Sequence, residues 1–342
     1  LNVLVAGSSG FYGSILIKHL LSIGINCLGV DIQKSEVLDD DKQFICDLCN
    51  YDELVIKSKY YKIDAIIHLA TQIDFAVKRQ SDLYENNVNA TTNLARLGKE
   101  RKIKSFIFTS SNSIFLGLNK TYILDDDKPM PIDMYGKSKV DSEVLLSDYK
   151  KHFNVIILRC PNIIDSGRVG MMSILFELVK ANAVLWIIGS GEIRHQCLYA
   201  KDLNLAVEKL LVLPKSETYN IGSENVPTFR EMFKHLILVS GSKSRILSVP
   251  SFVAINSLKI LHKLGVSPMG PYQFRMLTIG FEFDLKKIKN DLNWKPTTSN
   301  TQMIEIAYKF YTENSESLRA KKNATSAPVK MGILSLLKFI KL

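Results

Sequence analysis

Asn2-Val-Leu-Val-Ala-Gly7-Ser-Ser-Gly10-Phe-Tyr-Gly13-Ser-Ile-Leu-Ile-Lys-His-Leu-Leu-Ser-Ile23 stands at the start of the chain. The apolar, partly β-branched run before Gly7 reads as a buried strand, Asn2–Ala6. The spacing of apolar residues after Gly13 reads as a helix over Gly13–Ile23. Three glycines between them permit a tight turn. Such a turn lets the backbone come close to a phosphate, and the helix start offers free N–H groups and a partial positive charge. Glycine spacing alone is weak evidence. Its position between a strand and a helix makes it a candidate pyrophosphate cradle built from Gly7, Gly10, Phe11, Tyr12 and Gly13.

The pattern continues downstream. Asn26–Val30, Ala65–Leu69, Ser105–Thr109 and Val155–Leu158 read as further strands, and Leu83–Glu100 and Tyr135–Lys151 as helices. Apolar strands alternating with helices predict an α/β fold, a Rossmann-type doubly wound parallel sheet with helices on both faces. The second half is less regular. Helical runs at Met172–Ala181 and Phe229–Val239 suggest a smaller C-terminal substrate lobe. A helix at Lys201–Leu213 and a strand at Thr218–Ile221 return to the sheet. The expected division is residues 1–165 with 196–223 for the dinucleotide, and 166–195 with 224–312 for the substrate. Residues 313–328 read as a polar linker, and 329–342 as an amphipathic helix.

The chain has 342 residues, 46% hydrophobic, and a formal net charge of +10. Its five cysteines are too few and too scattered for a disulfide framework. Cys46-x-x-Cys49 has no second pair at zinc spacing, so no metal is expected. No nucleic-acid motif is present. The apolar start is too short for a signal peptide, and no stretch reaches the roughly 20 apolar residues of a membrane span. A cytoplasmic protein is expected. Six basic residues and no acid lie between Ser317 and Leu342. On a helix, Lys330, Lys338 and Lys341 share one side, with Val329, Ile333, Leu336 and Ile340 opposite. That pattern predicts either a peripheral anchor on an anionic membrane at its inner face or a helix docked on its own domain or in a dimer.

Three features carry chemistry. Asp31 ends the second strand, 18 residues after Gly13. A carboxylate there accepts hydrogen bonds from a ribose 2′-hydroxyl and repels a 2′-phosphate, which favours NAD over NADP. Tyr135-Gly-Lys-Ser-Lys139 puts a phenol and an ammonium four residues apart on one helix face. A phenol of pKa near ~10 is a poor base at neutral pH. Bringing it there needs about 4 kcal/mol of differential stabilisation, which a close Lys⁺ and an oxidised nicotinamide could supply. Thr109-Ser110-Ser111 closes the strand that begins at Ser105, where a hydroxyl can hold a substrate oxygen against Tyr135.

Taken together, residues 1 to about 312 resemble the extended short-chain dehydrogenase/reductase family, in its NAD-dependent epimerase/dehydratase branch, with UDP-galactose 4-epimerases as the likeness. Further motifs carry the resemblance: Cys46-Asp47-Leu48, Ile67-His68-Leu69-Ala70, Glu85-Asn86-Asn87-Val88-Asn89, Leu158-Arg159-Cys160-Pro161-Asn162, Tyr219-Asn220-Ile221-Gly222 and Leu292-Asn293-Trp294-Lys295-Pro296. The resemblance implies that Asp47 and Leu48 approach adenine, that Leu69, Ala70 and Asn86 line the cofactor, and that Asn162 touches sugar or phosphate. It implies Tyr135 as acid/base, Lys139 as the ribose and phenol partner, and Ser111 as the second hydroxyl on the substrate. A homodimer is the expected assembly.

The sequence also departs from the family. Dehydratases carry an Asp-Glu pair after the catalytic hydroxyl, whereas Ser111 is followed by Asn112-Ser113, which argues against water elimination. The position of the family's phosphate-binding arginine, seven before Asp202, is His195. Arg194 beside it would serve if a one-residue bulge turned it inward. The leading expectation is a nucleotide-sugar epimerase or 4-ketosugar reductase. A 3β-hydroxysteroid-like or other lipid alcohol dehydrogenase stays open, given the apolar Val249–Leu264 segment. A non-catalytic dinucleotide sensor is the third reading.

Overall fold

The structure is a computed structural model that describes residues 1–73, 79–264, 275–319, 328–329 and 331–340. Seven parallel strands form its centre, in the order β11-β7-β5-β4-β1-β2-β3. In chain order the elements begin with β1 (Asn2–Ala6), α1 (Phe11–Ser22), β2 (Asn26–Asp31), β3 (Gln43–Ile45), α2 (Tyr51–Ser58) and β4 (Ala65–His68). They continue with α3 (Gln80–Arg101), β5 (Ser105–Ser111), β6 (Tyr122–Ile123), α4 (Met134–Ser147), β7 (Asn154–Cys160) and β8 (Asn162–Ile164). Then follow α5 (Met172–Lys180), β9 (Leu185–Ile188), β10 (Cys197–Tyr199), α6 (Ala200–Leu211) and β11 (Glu217–Asn220). The lobe is completed by α7 (Phe229–Ser240), β12 (Ile246–Val249), α8 (Ser251–Lys263), β13 (Glu282–Phe283) and helices Lys286–Leu292 and Asn300–Glu313.

The strands are apolar throughout because both faces of the sheet are covered. Val3 and Val5 of β1 join Ile107, Ile156 and Leu158 beneath α1 and α6, where Leu16, Ile17, Leu203 and Val207 pack. Leu4 and Ala6 point the other way, with Phe106, Phe108 and Val155, into the layer of α2, α3 and α4. A third cluster, with Phe176, Leu185, Leu236, Met303 and Tyr311, forms the core of the lobe. Strand order reverses between β1 and its neighbours β4 and β2. The crevice at such a switch point, beyond the carboxyl ends of the strands, is where open α/β sheets bind ligands.

The far C-terminal stretch differs from expectation. Residues Gly332–Phe339 form a 3-10 helix, not a longer amphipathic α-helix. It lies against the lobe: Leu337 packs on the lobe core, Lys338 Nζ donates to Glu177, and the Ile340 carbonyl accepts from Val184 N at 2.9 Å. Leu337 in the lobe core and the Ile340 carbonyl bond, three residues apart, pin the end of this helix to the lobe. Lys330, Lys341 and the side chain of Ile333, part of the expected amphipathic pattern, lie outside the described residues. Within the expected linker the chain is still helical at Ser315–Arg319, and Leu318 is buried. Among the described residues no helix is long and apolar enough to cross a membrane.

Candidate active site

The cradle forms first. Gly7 leaves β1 with φ +91°, a conformation that L side chains rarely adopt. A Cβ at Gly7 would stand 2.6 Å from the Ala70 nitrogen, and one at Gly13 would stand 2.1 Å from the Gly7 carbonyl oxygen. The turn is therefore packed backbone against backbone. It places the start of α1 over the crevice between the ends of β1 and β4. Leu69 N and Ala70 N both donate to the Ala6 carbonyl at 2.9 Å, which fixes the second wall. Phe11 is half-buried beneath the Arg168 guanidinium, 5.7 Å from its ring centre. Tyr12 turns into the core under α1, and its hydroxyl is buried with no partner among the described residues. Only the backbone of Tyr12 can serve a phosphate.

Asp31 sits at the end of β2. One carboxylate oxygen accepts from Ser9 N at 3.0 Å and the other from Ile32 N at 2.7 Å, which orients the group toward the cradle. Asp47 is exposed and accepts from Cys49 N. Leu48 is buried in the sheet core, its carbonyl held by Asn93. Asn86 donates to the Gln72 side chain at 3.1 Å. Its neighbour Asn87, which the sequence reading passed over, holds the β4–α3 connection more firmly. Asn87 Oδ1 accepts from Gln72 N at 2.7 Å, and its amide donates to Ser138 Oγ at 3.2 Å. Cys49 donates weakly to the Asn86 carbonyl, so the Cys46/Cys49 pair belongs to this packing.

The catalytic candidates converge at the ends of β4 and β5. Asp133 caps α4 by accepting from Gly136 N, which starts the helix one residue before Tyr135. The Tyr135 phenol lies near the side chains of Ser111 and Thr71. Ser111 Oγ also accepts from Ser113 N at 3.1 Å. Burial pushes the Tyr135 phenol up to about 12, opposed by Ser111, Thr71 and Arg168. One turn on, Lys139 is buried, with Nζ donating to the Thr109 carbonyl at 2.9 Å and lying 5.7 Å from the Tyr135 ring centre. Burial drives the Lys139 ammonium down to about 8. His68, beside it, falls to about 3 through burial and the Lys139 charge, and is a neutral spacer bonded to Thr91. The protein by itself thus keeps a phenol at position 135, because burial outweighs Ser111, Thr71 and Arg168. Thr71 and Arg168 belong to this site although the sequence did not single them out. Thr71 follows the quoted Ile67–Ala70 strand end directly, and that adjacency could have flagged it.

The lobe side is less regular. Asn162, on β8, is exposed. His195 is buried, donates from Nε2 to the Met276 carbonyl and is driven down to about 4 by burial, so it carries no charge at neutral pH. Arg194 is exposed. Its guanidinium donates to the Val226 carbonyl and lies 3.8 Å from Glu231. Arg194 and His195 bridge to Thr228 and Phe281 respectively, so neighbouring residues pair on opposite sides. The described geometry directs Arg194 into a wall shared with Asn225, Pro227 and Glu282.

The family model for the NAD-dependent epimerase/dehydratase family matches residues 3–222. An uncharacterised protein of Sinorhizobium fredii is 28% identical over 340 residues, covering 98% of this chain and 85% of that one. A 3-beta-hydroxysteroid dehydrogenase of Mycolicibacterium neoaurum is 25% identical, with 93% of each chain covered. Among solved structures, the UDP-glucose 4-epimerase of Thermotoga maritima with UDP-glucose superposes with a TM-score of 0.76 at 20% identity, over 92% of this chain and 100% of that one. That likeness concerns the fold. Together with the cradle and the Tyr135/Lys139 pair, the match over most of the chain places it: this protein belongs to the NAD-dependent epimerase/dehydratase family of enzymes.

Proposed function

We propose that the protein oxidises and re-reduces a carbinol carbon of a nucleotide sugar, acting as an epimerase or a 4-ketosugar reductase. The observation that carries this reading is Tyr135 near Ser111 and Thr71, with the buried Lys139 ammonium 5.7 Å from its ring centre. The cradle of Gly7, Gly10 and Gly13 with Asp31 fits a dinucleotide, and NAD, when bound, supplies reversible hydride acceptance. The residues do the rest. Asp31 receives the ribose diol, Lys139 donates to the second ribose, and Ser111 and Thr71 fix the substrate oxygen. Tyr135 exchanges the proton of the carbinol. As a phenol in the free protein it is ready to act as an acid. To act as a base it needs the added positive charge of the oxidised cofactor. Residues 1–165 with 196–223 would serve the cofactor, and 166–195 with 224–312 the substrate. Asn162 and Arg194 are the substrate contacts of this reading.

Elimination of water is disfavoured because Asn112-Ser113 offers an amide and a hydroxyl where an acid and a base are needed. A second reading, oxidation of a lipid alcohol, has its own observation: neutral, buried His195 stands where the family's diphosphate arginine was expected, and Arg194 is engaged with Val226 and Glu231. Product analysis by NMR after incubation with NAD and a panel of UDP- and dTDP-hexoses tests the choice. Interconversion of C4 epimers, or reduction of a 4-ketosugar, supports the sugar reading. Inertness toward all of them, with NADH accumulating from a sterol alcohol, overturns it.

A further inference from the structure

Two stretches hold all of the chain's excess positive charge. Residues 232–281 contain Lys234, Lys243, Arg245, Lys259, Lys263 and Arg275 and no acid. Residues 317–342 contain six more basic residues and no acid. Of 44 basic and 34 acidic residues in all, this leaves 32 against 34 elsewhere. The basic character is therefore local.

The same stretches expose large apolar side chains. On α8 and the residue after it, Phe252 is 71%, Ile260 59% and Leu264 68% exposed. At about 100° per residue these three and Val253 fall within an arc of roughly 120°, with Lys259 and Lys263 at its edge. The partly covered Ala254, Ile255, Leu258 and Leu261 lie on the opposite side. At the C-terminus, Leu337 and Lys338 point inward, so Leu336 and Phe339 point out, 61% and 79% exposed. One ribbon links the two surfaces. The Ile340 carbonyl is bonded to Val184, next to β9. β9 pairs with β12, and β12 leads through Pro250 into α8. Trp186, on the outer side of β9, is 37% exposed between them.

Exposed apolar surface of this extent marks an interaction site. Exposed Lys259 and Lys263, at the edge of the α8 arc, select the occupant. A second copy would press like charge on like. A nucleic acid would use the lysines and leave Phe252 and Phe339 in water. An anionic lipid surface takes both, with ammonium groups at the headgroups and apolar side chains at the acyl boundary. We propose that α8 and the docked Leu336–Ile340 segment form a monotopic face that lies on an anionic lipid surface. The proposal is independent of the reaction assigned above. It also revises the expected anchor: the contact is made by a fixed face of the lobe, and one of the lysines expected to reach the membrane, Lys338, is turned inward to Glu177.

Co-sedimentation of the full chain with phosphatidylglycerol/phosphatidylcholine vesicles at low salt tests it. The protein should pellet at least tenfold more with these than with phosphatidylcholine alone. The double variant Phe252→Asp/Phe339→Asp, whose sites are exposed and whose melting temperature should match the parent's, should lose at least tenfold of that binding. Lys259→Glu/Lys263→Glu should lose binding as well, which covers the case of a poorly folded first variant. The proposal is overturned if the parent stays in the supernatant. It also fails if Phe252→Asp/Phe339→Asp pellets as the parent does, or if duplex DNA binds parent and that variant equally while vesicles bind neither. A dimer that the variant dissociates, without any vesicle binding by the parent, would assign the face to self-association instead.

Discussion

At the residue scale, the burial of Lys139 costs stability. An ammonium driven to about 8 by burial is held charged at neutral pH at a cost on the order of 3 kcal/mol. Lys139→Met keeps the length and removes the charge. In the cofactor-free protein it should raise stability by about 1–3 kcal/mol at pH 7, read as a higher melting temperature, while turnover disappears. The sign follows from linkage. A lysine whose folded pKa lies below its unfolded value costs most below pH 8, and the cost fades as pH rises toward the unfolded value. The advantage of the Met variant should therefore shrink between pH 8 and 10. A variant that melts below the parent at pH 7 would mean that the bond to the Thr109 carbonyl outweighs the charge. Tyr135, Lys139, Ser111 and Asp31 were legible because each rests on local spacing or on a strand end. Thr71 and Arg168 were not singled out, because only the fold brings them to Tyr135 from 64 and 33 positions away in the sequence.

At the scale of elements, β1, the glycine turn and α1 act as one unit. Gly13→Ala drives a methyl into the Gly7 carbonyl. It should destabilise the fold by about 1–3 kcal/mol and weaken NAD binding together, as thermal melts with and without NAD would record. At the end of β2, Asp31 should hold NAD(H) at least tenfold tighter than NADP(H), and Asp31→Ala should narrow the gap. Equal affinities for the parent in calorimetry would remove the assigned role of Asp31. The long buried strands were legible to within two residues at each end because both faces are apolar. Gln43–Ile45 was missed because it is a three-residue edge strand with one polar end. The helices Tyr51–Ser58 and Asn300–Glu313 went unread although each begins at a capping signal, Asn50 with Glu53 and Ser299 with Gln302. The winding of the last segment was not legible, because the residue pattern marks an amphipathic helix without distinguishing an α-helix from the 3-10 helix that lies against the lobe.

At the scale of the whole molecule, the C-terminus completes the lobe. A chain ending at Asn314 loses Leu318, Met331 and Leu337 from the lobe core and frees Glu177 from Lys338. It should melt several degrees below the full chain, with a loss of about 2–5 kcal/mol. An unchanged melting temperature would restore the detachable segment. The sheet and its switch point were legible as a class from strand–helix alternation. In the lobe the helices Met172–Lys180 and Phe229–Ser240 were legible, but the strands were not, because they are short and their pairings long-range: β9 with β12, β6 with β13 and β8 with β10. Both halves meet at Tyr135, and one comparison tests that meeting most directly: turnover of the parent and of Tyr135→Phe on the nucleotide hexose that the parent converts, with NAD affinity measured for each. The account predicts equal NAD affinity and a loss of about 10²–10⁴-fold in turnover. A Phe variant that binds NAD as the parent does and retains more than about a tenth of its activity would contradict it.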